Sequence, residues 1–76
     1  MTSEKIRGIW ERQLVLPDIK DDDDFFELGG HSLIMQKIQI EIKDEFGIEV
    51  PMDELFRFPT IAEISKRIDR ASAVQH

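Results

Sequence analysis

The sequence SLIMQKIQIEIKDEFG, residues 32–47, decides the fold, because its apolar residues recur at the spacing of an amphipathic helix. Those that step by four residues align on one face, namely Ile34, Ile38, Ile42 and Phe46. Gly47 then occupies the usual position for a helix end. At about 100° per residue, Leu33 and Ile40 point away from the apolar face. We expect either a second neighbour to cover them or a partner to bind them.

Residues 3–14 show the same helical spacing, carried by Ile6, Ile9, Trp10 and Leu14. Ser3 is predicted to cap this helix and Pro17 to end it. A loop without sustained periodicity then runs from Pro17 to His31. We expect its apolar residues to pin the loop to the core, namely Phe25, Phe26 and Leu28.

The C-terminal part of the chain predicts two more helices. A short one covers residues 53–56, and a longer one follows Thr60, which forms a capping-box pattern with Glu63. The longer helix has a predicted buried face of Ile61, Ile64 and Ile68. Its tail, ASAVQH, is expected to fray, with His76 inert. Because no repeat, hinge or second domain appears, we predict one all-α domain over residues 1–76, a four-helix bundle of three principal helices and one short helix.

The composition excludes several classes of function. Hydrophobic residues make up 41% and charged residues 34%, which is typical of a folded domain. The absence of cysteine rules out disulfides and thiolate nucleophiles, and together with the lack of a signal or membrane-spanning run it predicts a cytoplasmic protein. A net charge of −6 argues against nucleic acid and suggests basic partners. The acidic run at 21–24 fits no register of the calcium-loop pattern. We therefore predict no metal site there, and interpret the run either as a solvated loop or as a means of steering basic partners.

Ser32 stands at the start of the central helix, directly after Gly29, Gly30 and His31. Its position alone predicts an ordinary helix cap. The two glycines leave the hydroxyl open, and the unpaired N–H groups and dipole of a helix start suit a phosphate. A serine nucleophile would need an oriented base and an oxyanion hole. The G-x-S-x-G pattern is broken at Ile34, so a small serine hydrolase is the weakest alternative.

The segment DDFFELGGHSL, residues 23–33, closely resembles the D-x-F-F-x-L-G-G-H-S-L core motif of the peptidyl carrier domains of nonribosomal peptide synthetases. VPMDELFRFPTIAEI, residues 50–64, is similar to the third-helix segment of the same family. The resemblance implies an acyl-carrier-like fold and a 4′-phosphopantetheine arm on Ser32, transferred from coenzyme A by a magnesium-dependent phosphopantetheinyl transferase. The thiol of the arm would carry aminoacyl or peptidyl groups as thioesters, which makes the chain a carrier and not an enzyme.

The resemblance also implies partners. A monomeric carrier would meet the transferase, an adenylation domain and a condensation domain, with a thioesterase or tailoring enzyme as a further partner, in brief contacts that suit a small docking surface. That surface is carried over by position and consists of His31, Leu33, Ile40, Met52, Phe56 and, at its border, Phe26.

Two alternatives to this function remain open from the sequence. Fatty-acyl and polyketide carriers usually read D-S-L at the attachment site, whereas this chain reads H-S-L at residues 31–33, which favours the peptidyl type. The other alternative is a helical interaction module that binds partners without any covalent group.

Overall fold

The computed structural model describes residues 1–74 and folds them into four helices without a strand. The helices are α1 (Thr2–Leu14), α2 (Ser32–Phe46), α3 (Met52–Arg57) and α4 (Ile61–Val74). The helix α1 packs against both α2 and α4, and the short α3 packs on α2. This confirms the predicted all-α bundle with a long loop between its first two helices. None of the helices within residues 1–74 is long and apolar enough to cross a membrane.

The core is one cluster of buried apolar side chains to which all four helices contribute. In α2, the buried face is narrower than the predicted stripe of four residues. Ile38 and Ile42 are fully buried, but Ile34 and Phe46 are only partly buried. The reason is geometric, because each step of four residues turns about 40° beyond a full turn, so the ends of the stripe rotate out of the core. Met35 completes the buried face.

The first helix ends at Leu14, as its spacing predicts, but the residues that close its two ends differ from the prediction. Ser3 is not its cap, because α1 already begins at Thr2 and no side chain caps it. The Thr2 hydroxyl instead donates to an Asp69 carboxylate oxygen of α4 at 2.6 Å. At the other end the helix stops at Val15, ahead of Pro17, since Val15 adopts the left-handed conformation with φ 56°. A β-branched residue is strained in that region.

The last helix is capped as the sequence predicts, although the box is only half formed. The Glu63 N–H donates to the Thr60 hydroxyl oxygen at 3.2 Å. The Glu63 carboxylate accepts from the Thr60 hydroxyl at 3.4 Å, where the box pattern has it accept from the Thr60 backbone N–H. The prediction of a fraying tail from residue 71 is wrong as far as Val74, because α4 continues to that residue. His76 lies outside the described residues.

Candidate functional site

Ser32 is the first residue of α2 and is exposed to solvent. The prediction that it caps the helix is wrong by one position. The N-cap is His31, whose backbone is extended (φ −149°, ψ 178°) and whose carbonyl accepts the Met35 N–H at 3.0 Å. No side chain caps α2. The Ser32 hydroxyl is therefore not engaged in holding the helix, and the free N–H groups of the first turn have no side-chain cap.

The two glycines before the site have different roles. Gly29 has φ 91°, and a Cβ built there would meet no atom within 4 Å, so its role is conformational. Gly30 does not have a positive φ, but a Cβ at this position would overlap the ring of Phe25. The predicted steric openness therefore applies to Gly29. Gly30 is needed because the backbone passes directly against an aromatic ring.

Four aromatic rings connect the core to the surface beside this site. Trp10 and Phe25 are both fully buried and meet edge to face with ring centroids 5.4 Å apart. Phe25 meets Phe26 in the same way at 5.5 Å, and Phe26 stacks on Phe56 of α3 at 5.7 Å. The prediction that Phe26 is pinned in the core is wrong, since 49% of it is exposed. Phe25 is fully buried and Leu28 packs against the core, so the prediction is confirmed for these two, and the loop residue Ile19 is buried as well.

The segment that leads to Ser32 is held by specific hydrogen bonds. The Asp24 carboxylate accepts from the N–H groups of Phe26 at 2.9 Å and Glu27 at 3.1 Å, which closes a turn. The Phe25 N–H donates to the carbonyl of Pro59 at 2.8 Å. The Gly30 N–H donates back to the Phe25 carbonyl at 3.0 Å. Sequence analysis missed the role of Asp24, although an aspartate whose side chain accepts from N–H groups two residues on is a known turn signal.

The acidic loop, residues 18–24, is held by hydrogen bonds and an ion pair. Arg7 of α1 donates from Nε to the Ile19 carbonyl at 3.0 Å and forms an ion pair with Asp21. The Asp23 carboxylate accepts the Lys20 N–H at 2.9 Å. Nothing in the local sequence indicates the role of Arg7, because its partners lie 12 and 14 residues away.

The predicted docking residues lie in two groups, one at the start and on the surface of α2 and the other on α3 and the neighbouring Phe26. Leu33 and Ile40 are 57% and 56% exposed on α2, so the prediction that they point away from the core is confirmed. Phe56 is partly buried in α3 and in contact with Phe26, as described above. Met52, the first residue of α3, is also partly buried. The exposed His31 directly precedes Ser32.

An ion pair fixes α3, which carries two of these residues, to α4. Arg67 donates from Nε to Glu54 Oε1 at 2.7 Å and from Nη2 to Oε2 at 3.3 Å. The hydrogen bonds from Arg67, together with its charge, hold the pKa of Glu54 below the ordinary value of 4.5. The position of Phe56 is thus supported from the α4 side.

The start of α2 fits a covalently bound phosphate group. An exposed hydroxyl stands on its first residue, the first turn has no acidic side chain, and the N–H groups there are at the positive end of the helix dipole. By contrast, the first turn of α3 contains Asp53 and Glu54, and that of α4 contains Glu63. Within residues 1–74, no three histidine or carboxylate side chains are grouped so that they could hold a metal ion.

Known proteins match both the sequence and the fold. A family model described as "Phosphopantetheine attachment site" matches residues 4–68. The chain is 42% identical over 72 residues to chondramide synthase cmdD of Chondromyces crocatus, covering 95% of this chain and 2% of that protein. It matches the structure of the phosphopantetheine transferase Sfp in complex with coenzyme A and a peptidyl carrier protein with a TM-score of 0.90 and 31% identity, covering 92% of this chain and 91% of the matched chain. The structure of McyG A-PCP complexed with phenylalanyl-adenylate matches with a TM-score of 0.85 and 31% identity, covering 88% of this chain and 10% of that one.

The chain therefore belongs to the phosphopantetheine attachment site family. It is a carrier protein with the fold of the peptidyl carrier domains of nonribosomal peptide synthetases, and its cofactor is 4′-phosphopantetheine derived from coenzyme A. The match favours a carrier over an interaction module without a covalent group, and over a hydrolase. The chain spans about 2% of the length of chondramide synthase.

Proposed function

We propose that Ser32 is the residue to which the phosphopantetheine arm is attached, and that the chain carries aminoacyl or peptidyl groups in nonribosomal peptide synthesis. The observation that carries the proposal is the exposed Ser32 hydroxyl at the uncapped start of α2, inside the region matched by the family. When bound, the arm supplies a terminal thiol that holds the acyl group as a thioester.

The residues of this chain have a limited part in the attachment reaction. The Ser32 oxygen displaces adenosine 3′,5′-bisphosphate from coenzyme A and forms a phosphodiester, while its proton passes to a base of the transferase. No base is required from this chain, which agrees with the absence of an acidic residue in the first turn of α2. The N–H groups of that turn and the helix dipole stabilise the negative charge of the attached phosphate. The chain itself is proposed to be non-catalytic.

The partners follow from the carrier role. A phosphopantetheinyl transferase is supported by the solved complex of such an enzyme with a similar carrier. An adenylation domain that supplies an activated amino acid is supported by the neighbour that contains phenylalanyl-adenylate. The proposal extends to a condensation domain and to a thioesterase or tailoring enzyme, met by a monomer in the cytoplasm. The docking surface is proposed to consist of the six residues His31, Leu33, Ile40, Met52, Phe56 and Phe26.

The proposal is tested by intact-protein mass spectrometry. The chain is incubated with coenzyme A, magnesium and a broad-specificity phosphopantetheinyl transferase, beside two variants. Ser32→Ala removes the proposed site, and Ser72→Ala removes another exposed serine, on α4, as a matched control. We expect one phosphopantetheine increment for the native chain and for Ser72→Ala, and none for Ser32→Ala. An increment on Ser32→Ala, or an unmodified native chain beside a modified known carrier, would refute the assignment.

A further inference from the structure

We propose that Phe25 and Gly30 act together as positioning residues for Ser32, so that the contact between ring and glycine backbone sets where the hydroxyl stands when the transferase closes on it. The inference rests on the proposed role of Ser32. It replaces the idea that both glycines before the serine supply flexibility. The second glycine is part of a rigid contact.

The ring of Phe25 is held from several directions. Its side chain is fully buried and packs edge to face on Trp10. Its backbone N–H is bonded to the Pro59 carbonyl at 2.8 Å, which ties it to the link between α3 and α4. Its own carbonyl accepts the Gly30 N–H at 3.0 Å. A ring fixed in this way cannot yield to a methyl group without disturbing the core.

The position of the Gly30 backbone affects that of Ser32 because the two residues are close in sequence. Only His31 separates the two, and its backbone is extended, with its carbonyl engaged by the Met35 N–H at 3.0 Å. No side-chain cap at this helix start offers a second way of fixing Ser32. The place of the hydroxyl is therefore set by two supports, the buried face of α2 that begins at Met35 and the point where the backbone crosses the Phe25 ring.

The expected effect of a displaced hydroxyl is on the chemical step. The reacting phosphorus belongs to coenzyme A bound to the transferase and the base belongs to the transferase, so this chain contributes only the placement of the serine oxygen. A misplacement of about 1 Å can lower the rate of such a step by about a hundredfold. The carrier's exposed docking residues are unchanged, so binding to the transferase should change much less than turnover.

The test compares glycine substitutions just outside the two ends of α2. Gly30→Ala forces a methyl group into the Phe25 ring, whereas Gly47→Ala places one in open space but in a left-handed conformation (φ 69°). Both are expected to lower the thermal midpoint. Gly47 lies at the opposite end of the 15-residue α2, about 20 Å from Ser32, so it is a control for lost stability. A third variant, Gly30→Ala with Phe25→Leu, makes room for the new methyl group.

The variants are measured below their lowest thermal midpoint, following mass increase over time to obtain kcat and KM for the transferase. We expect Gly30→Ala to lower kcat about tenfold to a hundredfold with little change in KM, and Gly47→Ala to stay within about twofold of the native chain. In the Gly30→Ala background, Phe25→Leu should restore at least about half of the lost rate on a logarithmic scale.

Other outcomes would overturn the inference. These are a folded Gly30→Ala chain with native kcat, an equal loss in Gly47→Ala, or no rescue by Phe25→Leu. If Gly30→Ala does not fold, Phe25→Leu alone decides the question, because it should lower kcat and speed amide exchange of Gly30, and unchanged values of both would refute the proposal. A native chain that accepts no arm at all would instead refute the role of Ser32, so the two failures are distinguishable.

Discussion

The starts of α2 and α4 share one backbone hydrogen bond but are completed differently. In each, the carbonyl of the residue before the helix accepts an N–H from the first turn, at 3.0 Å from Met35 to His31 and at 3.1 Å from Ile64 to Thr60. The start of α4 is then closed by protein, since the Glu63 N–H reaches the Thr60 hydroxyl at 3.2 Å. The start of α2 has no side-chain cap.

The two helix starts also differ in how many of their N–H groups the protein itself satisfies. The Ala62 N–H of α4 also donates to the Asp21 carbonyl of the acidic loop at 3.0 Å, so the protein supplies acceptors at two successive positions. At α2 the serine stands one residue inside the helix, where its hydroxyl is exposed. One hydroxyl serves the structure, and the other, at the proposed attachment site, is exposed and caps nothing.

Both starts depend on Phe25, and its removal should give the largest effect. Phe25 bonds the link before α4 through its N–H and Gly30 through its carbonyl, and its ring is fully buried. We expect Phe25→Ala to lower the free energy of unfolding by about 3 to 5 kcal/mol, which is comparable with the whole stability of a small domain. Urea denaturation followed by circular dichroism measures the change. A loss below about 1 kcal/mol would show that the two helix starts do not share this residue as a support.

The contrast itself is tested by removing each hydroxyl in turn. Thr60→Ala deletes the oxygen that accepts the Glu63 N–H, so it should lower the free energy of unfolding by about 1 kcal/mol. Ser32→Ala deletes a hydroxyl that caps nothing, and should change the free energy of unfolding by less than about 0.5 kcal/mol. Denaturation midpoints of the two variants, measured side by side, decide the point. Equal losses would mean that Ser32 is a structural cap after all.

Sequence patterns predicted the bundle well because helical periodicity and caps are local signals. The bounds of α2 and the Thr60 cap agree with them. What they missed depends on contacts between distant residues, as with Arg7 and its partners at Ile19 and Asp21. Periodicity also cannot tell an N-cap from the residue that follows it, which is why Ser32 was assigned the role that His31 has.

Supplying the missing cap should strengthen the start of α2. His31 has the extended backbone of an N-cap but no side-chain bond to the helix. An aspartate there can accept a first-turn N–H and also meets the positive end of the dipole. We therefore expect His31→Asp to raise the free energy of unfolding by about 0.5 to 1 kcal/mol at neutral pH. Chemical denaturation measures the gain, and a neutral or destabilising result would show that the start of α2 cannot accept a cap.

The smallest effect on stability is expected from breaking the ion pair between Glu54 of α3 and Arg67 of α4. Because Arg67 lowers the pKa of Glu54 in the folded chain, the carboxylate favours folding above its ordinary value of 4.5, and this contribution is lost as the pH falls through the lowered value. Glu54→Gln should therefore be less stable than the native chain at neutral pH, and the difference should shrink as the pH falls from neutral through the lowered pKa of Glu54.

Denaturation curves of Glu54→Gln across this range, together with Asp53→Asn as a control, test the ion pair. Asp53 is on the same helix but meets Arg57 only at 4.0 Å on an exposed surface, so its substitution should leave the pH profile unchanged. Neither variant should change kcat for the proposed modification of Ser32, because the start of α2 is held through Phe25 and Gly30 rather than through this pair. Glu54→Gln can raise KM, since the pair supports α3 with the proposed docking residues Met52 and Phe56. A lower kcat for Glu54→Gln would show that the contact between α3 and α4 also sets the position of Ser32.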